Sequence, residues 1–326
     1  MYAEFYKLSG LPFQLTPDPK FFFGSAGHTR AMAHLTYGLH QGEGFIIITG
    51  DVGAGKTTLV DLLLSKLDKT SHVAAKIVTT QLAADDTLRM VAAAFGVYQE
   101  GVDKAGLLRR IESFVTTNFR AGKRSLLIVD EAQNLSVASL EELRMLTNFS
   151  VQGSAPLQSF LLGQPQFRAV LGNPTLEQLR QRVTASYHLG PITELETQAY
   201  ILHRLKTVGW KDDPLFSEDF FAAVYKQTGG VPRRINTLCS RIMLFGFLEQ
   251  QHAIGSDVVD QVAEELNTEL GRVTENSREA VMPVSDNASL DELANRIAAL
   301  ERNVARHDRA IRRAIEIAAA YVPAKP

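Results

Sequence analysis

The chain has 326 residues, 45% of them hydrophobic and 21% charged, with a formal net charge of −2. That length holds two modest domains or one large domain with an appendage, and the near-neutral balance excludes a chain built as a whole to grip nucleic acid or an anionic membrane. The single cysteine, Cys239, excludes an intramolecular disulfide and suits a reducing compartment.

The opening "MYAEFYKLSG" has no basic start leading into an apolar segment. No stretch approaches the ~18 to 20 continuous apolar residues of a membrane span, so the expected address is the cytoplasm. Short apolar runs at Phe45–Thr49, Ala75–Thr79, Ser125–Asp130 and Gln158–Leu162 predict strands. Between them the amphipathic stretches Thr57–Lys66, Leu88–Phe95, Lys104–Phe119 and Ser139–Thr147 predict helices. This alternation predicts an α/β fold over residues 1–193, with a mostly parallel sheet covered on both faces.

From Glu194 the texture changes. "ETQAYILHRLKTVG", "SEDFFAAVYKQTG" and "PRRINTLCSRIMLFGFLEQ" read as helices separated by Gly and Pro signals, which predicts a helical subdomain over 194–270. Residues 271–288 are short of large apolar side chains and read as a linker. Over 289–322, Leu293, Ile297, Leu300, Val304, His307, Ile311, Ala314 and Ala318 recur in steps of four and three, a heptad seam with one polar slot. Two readings stay open: a coiled-coil or partner-docking helix, and an amphipathic helix packing back on its own body. The arginines between Arg302 and Arg313 also suit an acidic surface.

"GDVGAGKTT", Gly50 to Thr58, matches G-x-x-x-x-G-K-[ST] with an apolar strand before it and a helix after it. Gly50, Asp51, Val52, Gly53, Ala54, Gly55, Lys56, Thr57 and Thr58 are therefore the expected nucleotide-binding residues. Backbone N–H groups converge on phosphate oxygens only where no Cβ intrudes, and the helix N-terminus adds partial positive charge. Lys56 is expected to bridge the β- and γ-phosphates of ATP and the Thr57 hydroxyl to hold Mg2+, with Thr58 supporting the loop.

The strand "SLLIVD" then ends on two adjacent carboxylates. Asp130 fits a carboxylate aimed at the metal. Glu131 fits one that orients and polarises a water attacking the γ-phosphate; its bland alternative is an acid favoured by a helix N-terminus. Paired carboxylates beside a phosphate loop point to hydrolysis and not to binding alone.

"GDVGAGKTT", "LLIVDEAQNL" and the opening "FYKLSGLPFQLTPDPKFFFGSAGHTRAMAHLTYGLHQGEGFIIITG" together resemble the AAA+ ATPases. The branch they resemble is the bacterial secretion-pathway A-type ATPases, and within it those associated with exosortase/PEP-CTERM exopolysaccharide systems. The resemblance covers Met1 to Leu270 and implies a P-loop NTPase (AAA+) three-layer fold with a C-terminal helical lid. It implies Gln164 as a sensor of the γ-phosphate, Arg182 as an arginine finger with Arg180 as second choice, and Arg233 as the second sensor. "TPDPKFFFG" would lie against adenine, although Phe21, Phe22 and Phe23 read equally well as core aromatics.

The resemblance further implies a homo-oligomer, a ring or helical array of about six subunits. Its Mg-dependent ATP hydrolysis would drive or regulate bacterial envelope assembly, in exopolysaccharide export or secretion. The heptad helix would recruit a protein partner at the inner membrane. The alternative is a DNA-associated regulator of the transposition type: the acidic net charge and the lack of a recognisable helix-turn-helix count against it, the arginine-rich tail for it. A non-catalytic nucleotide-gated scaffold is a third reading, disfavoured by the intact Asp130–Glu131 pair. The histidines show no metal spacing, and Cys239 reads as a helix core residue.

Overall fold

Largely apolar runs suit strands buried on both faces, and those at Phe45–Thr49, Ser125–Asp130 and Gln158–Leu162 become such strands. That at Ala75–Thr79 alternates buried Ala75 and Ile77 with exposed Lys76 and Val78. The computed structural model describes residues 1–16, 18–79 and 84–269. Strands β1 (Phe45–Gly50), β2 (His72–Val78), β3 (Arg124–Asp130), β4 (Leu157–Gly163) and β5 (Val183–Leu189) form one parallel sheet in the order β2-β3-β4-β1-β5. The linker expected over 271–288 and the heptad helix expected over 289–322 lie outside the described residues.

The helices are α1 (Tyr2–Phe5), α2 (Ala26–Gln41), α3 (Lys56–Lys66), α4 (Ala84–Ala94), α5 (Lys104–Arg120), α6 (Val137–Leu146), α7 (Phe167–Leu171), α8 (Glu177–Arg180), α9 (Glu194–Thr207), α10 (Glu218–Thr228), α11 (Pro232–Leu248) and α12 (Ser256–Glu269). Because successive strand side chains face opposite ways, the sheet splits the core in two. On one face Phe45, Ile47, Leu127, Val129 and Leu161 pack with Leu88 and Val91 of α4, Ile111 of α5 and Leu143 of α6. On the other, Ile46, Ile48, Ile128 and Phe160 pack with Leu35 of α2 and Leu59 and Leu63 of α3. Each such buried side chain contributes roughly 1.5–3 kcal/mol relative to exposure. The architecture is a three-layer α/β fold, one parallel sheet between two layers of helices.

Local chemistry fixes the element ends. The Ser25 Oγ accepts from His28 N–H at 3.2 Å to start α2, and Gly42, at φ +72°, closes it in the left-handed conformation. One polar side chain inside the sheet, Gln158, is satisfied by donating to the carbonyls of Gly38 (2.7 Å) and Glu43 (3.1 Å).

Several elements go beyond the sequence expectation, among them α1, α7, α8, α12, β5 and α2. "VTASYHL" forms β5, an edge strand in which only Ala185 and Leu189 are fully buried, so its alternation is too thin to announce it. Helix α2 buries just Ala31, Leu35, Gly38 and His28, a narrow stripe among Thr, His and Gly residues. The strand order matters for chemistry: β4 lies between β1 and β3, so the segments leaving these three strands sit at one edge of the sheet.

Two compact units make up the chain. One holds Gln14–Thr207 and Thr228–Asn236, with the whole five-stranded sheet. The other holds Met1–Phe13, Val208–Gln227 and the described residues from Thr237. Within this second unit β6 (Leu215–Phe216) pairs in parallel with β7 (Ala253–Ile254), and Phe216 and Phe220 lie with ring centroids 4.4 Å apart. Its N-terminal segment is tied in by Tyr6, whose hydroxyl donates to the Gln251 carbonyl at 2.9 Å, and by Ser9, whose hydroxyl donates to the Val208 carbonyl at 3.1 Å. Among the described residues no helix is long and apolar enough to cross a membrane.

Candidate active site

The glycine loop joins β1 to α3 in the unit that carries the sheet. Gly53 and Gly55 adopt φ of +84° and +97°, a region costly for residues with a Cβ. Space is a second reason for glycine: a Cβ on Gly53 would fall 2.2 Å from that of Arg233, and one on Gly55 would fall 2.8 Å from His28 Nε2. Lys56 is 7% exposed, and its ammonium donates to the carbonyls of Gly50 (2.7 Å) and Asp51 (3.0 Å). Burial lowers its pKa, while Glu131, Asp130 and Asp51 act in the opposite sense. A buried cation held by carbonyls at the N-terminus of α3 is poised to receive an anion.

Asp130, at the tip of β3 and 5% exposed, accepts from the Thr57 hydroxyl at 2.8 Å and from the Glu131 N–H at 3.0 Å. Thr79, just past β2, places its hydroxyl 2.9 Å from the Asp130 carbonyl and 2.7 Å from that of Glu131. The Thr57 hydroxyl and Asp130 carboxylate are hard oxygen donors brought side by side from two elements. They fit Mg2+, which takes one or two protein groups and completes its shell with phosphate and water.

Glu131 is left-handed, at φ +56° and ψ 39°, an uncommon conformation for a residue other than glycine. Its Oε2 accepts from Gln133 Nε2 and, at 3.1 Å, from Gln164 Nε2. The Gln164 N–H in turn donates to Gln133 Oε1 at 3.0 Å. The predicted sensor position thus meets the predicted water-activating carboxylate directly.

Phe21, Phe22 and Phe23 line a cavity of about 450 Å³ together with Val52, Gly53, Gly55, Lys56, Thr57, Thr58, Glu131 and Arg233. That volume suits a nucleotide-sized ligand. The Arg233 N–H also donates to the Gly53 carbonyl at 3.2 Å. Arg180 and Arg182 do not line the cavity. The Arg180 guanidinium binds the carbonyls of Leu171 and Asn173 and pairs with Glu177, and that of Arg182 donates to Thr147 O (2.9 Å) and Oγ1 (3.1 Å).

The sequence pattern assigned neither Thr79, expected only as a strand end, nor Gln133 to the site, although Gln133 stands two residues after Glu131 in "DEAQ", a spacing that lets a long amide turn back on it. It also passed over a buried group in the cavity wall. Arg204, 6% exposed, lies with Cζ 4.6 Å from the Phe21 ring centroid and donates to Tyr200 OH at 2.8 Å, which donates to Asn236 at 2.9 Å. His28 is buried beside Gly55, with Ser25 Oγ 2.7 Å from Nδ1; burial lowers its pKa, opposed by the Ala54 backbone and Glu196. No local pattern marks these residues, because they come from separate elements.

A family model described as "AAA domain" matches residues 39–171, from the end of α2 through the phosphate loop, Asp130, Glu131 and Gln164 to the end of α7. An AAA domain therefore occupies residues 39–171 of the chain. General secretion pathway protein A of Aeromonas hydrophila is 38% identical over 255 residues, which are 78% of this chain and 46% of that protein. The chain therefore spans about half the length of the curated relative it matches. Among solved structures, Cdc6p from Pyrobaculum aerophilum aligns with a TM-score of 0.63 at 17% identity, covering 81% of this chain and 70% of that one. The ADP form of Aeropyrum pernix ORC2 aligns at 0.58 and 17% identity, covering 81% and 76%. At such identities the likeness speaks to the AAA+ fold alone.

Proposed function

We propose that this AAA+ domain hydrolyses ATP with Mg2+ as a subunit of a homo-oligomer, and that its turnover drives or regulates bacterial envelope assembly. The observation that carries the chemistry is the 2.8 Å contact between Thr57 and Asp130, with Glu131 lining the same cavity as Lys56. Lys56 and the loop N–H groups bind the phosphates, and Thr57 and Asp130 hold Mg2+. When bound, that ion offsets charge on the phosphate oxygens. Glu131 takes the proton of the attacking water, Gln164 orients between Glu131 and the γ-phosphate, and Arg233 reaches the phosphates from α11. Arg182 acts across a subunit boundary.

Identity to General secretion pathway protein A supports the secretion-pathway side of this reading. The opening segment's resemblance to exosortase/PEP-CTERM-associated ATPases supports exopolysaccharide export as the specific setting. The heptad seam over 289–322 is the segment through which a protein partner at the inner membrane would recruit the ATPase. The test of the chemistry is Glu131→Gln. The variant should bind ATP as the parent does and lose roughly 10²- to 10⁴-fold in kcat, the usual worth of a general base. Full turnover by the purified variant would remove Glu131 from that role.

A further inference from the structure

A side-chain amide has one accepting and one donating end, so fixing one end aims the other. The Gln164 N–H donates to Gln133 Oε1 at 3.0 Å, which turns Gln133 Nε2 toward the Glu131 carboxylate. Gln164 Nε2 reaches the same oxygen, Oε2, at 3.1 Å. Two neutral donors therefore converge on one carboxylate oxygen and leave Oε1 to accept a proton. The backbone beneath is constrained in the same sense. Glu131 holds φ +56°, and its carbonyl is 2.7 Å from the Thr79 hydroxyl. A residue stays in such a conformation when its surroundings over-determine it, and strain of this kind gathers at working sites. Gln133 itself does not line the cavity.

We infer that Gln133 is a positioning residue for ATP hydrolysis: it fixes the Glu131 carboxylate so that Oε1 meets the attacking water, and it ties that carboxylate to Gln164 after β4. The inference rests on the reading of Glu131 as the group that activates water. Gln133 acts through Glu131 and Gln164, each of which lies one hydrogen bond away.

Gln133→Met keeps the side chain's length and removes both polar ends. Its kcat should fall between ~10- and ~100-fold, the cost of a misplaced catalytic group, while the Kd for ATP stays within about twofold of the parent. Gln133→Glu keeps an acceptor for Gln164 but sets a like charge against Glu131, and should fall at least as far in kcat with the same unchanged Kd. A kcat within about twofold of the parent for both variants, with Glu131→Gln inactive, would overturn the inference. So would a parallel loss of ATP affinity and thermal stability, which would make Gln133 a structural tie. Full turnover by Glu131→Gln would overturn the underlying reading, and this inference with it.

Discussion

Behind the phosphate loop, His28 is a titratable group held away from water, against Phe22 and beside Gly55, with its ring centroid 5.9 Å from that of Phe22. Burial lowers its pKa below the ordinary 6.5, against the opposing influence of Glu196. The native imidazole is therefore neutral where the unfolded one already takes up a proton, so below about pH 6.5 the unfolded state binds more protons and stability falls with pH. His28→Gln keeps a polar end for Ser25 but cannot charge. We expect its Tm to decline less steeply than the parent's between about pH 7 and 5.5 in a thermal-melt series. An identical slope would mean that His28 is solvated in solution. At this scale the motif residues Lys56, Thr57, Asp130 and Glu131 could be named from spacing alone. His28 and Thr79 could not, since they meet Gly55 and the Asp130 and Glu131 carbonyls across other segments, and Gln133, close to Glu131 in the chain, is fixed only by the Gln164 N–H.

At the scale of elements, β4 is the member on which the site's geometry depends, because it separates β1 from β3 and carries Gln164 at its end. Phe160 anchors it, fully buried in the layer shared with α2 and α3. Phe160→Ala should cost about 3–5 kcal/mol of unfolding free energy, read as a lower urea midpoint at unchanged slope. A loss below about 1 kcal/mol would mean that the layer collapses into the space left behind. Strands β1, β3 and β4 announce themselves because a doubly buried strand is a largely apolar run, and β2, an edge strand, shows as buried Ala75 and Ile77 alternating with exposed Lys76 and Val78. β5 does not, because an edge strand with one half-exposed face mixes Val, Ala and Leu with Thr, Ser and His. Its place in the sheet comes from pairing with β1, from Ile46↔Ala185 to Gly50↔Leu189, and not from its own pattern.

At the scale of the whole molecule the open element is association. The Arg182 guanidinium is engaged within its own chain by Thr147, so action on a neighbour's nucleotide requires those two bonds to be exchanged as subunits meet. The ATPase rate per subunit should therefore rise with protein concentration and then level off as association saturates. A flat response at measurable turnover would remove the trans role. Duplex DNA added in a parallel series should leave the curve unchanged. Strong stimulation would favour the DNA-associated regulator.

The sequence by itself determined the groups on which the proposed chemistry rests: a phosphate-loop motif, the Thr57 hydroxyl, and the adjacent carboxylates Asp130 and Glu131. These are contiguous motifs, and the backbone conformations they need restrict which residues can occupy them. It also determined that aliphatic runs alternate with amphipathic helices, which is enough for the fold class. Only the tertiary structure decided that β4 enters between β1 and β3, and with it that Gln164 and Gln133 both bond to Glu131. The same holds for Arg204, buried over Phe21 in the cavity wall. The physical reason is that these contacts join residues distant in the chain or depend on the folded path between them. Nothing local in a polar side chain records which strand will pack beside it.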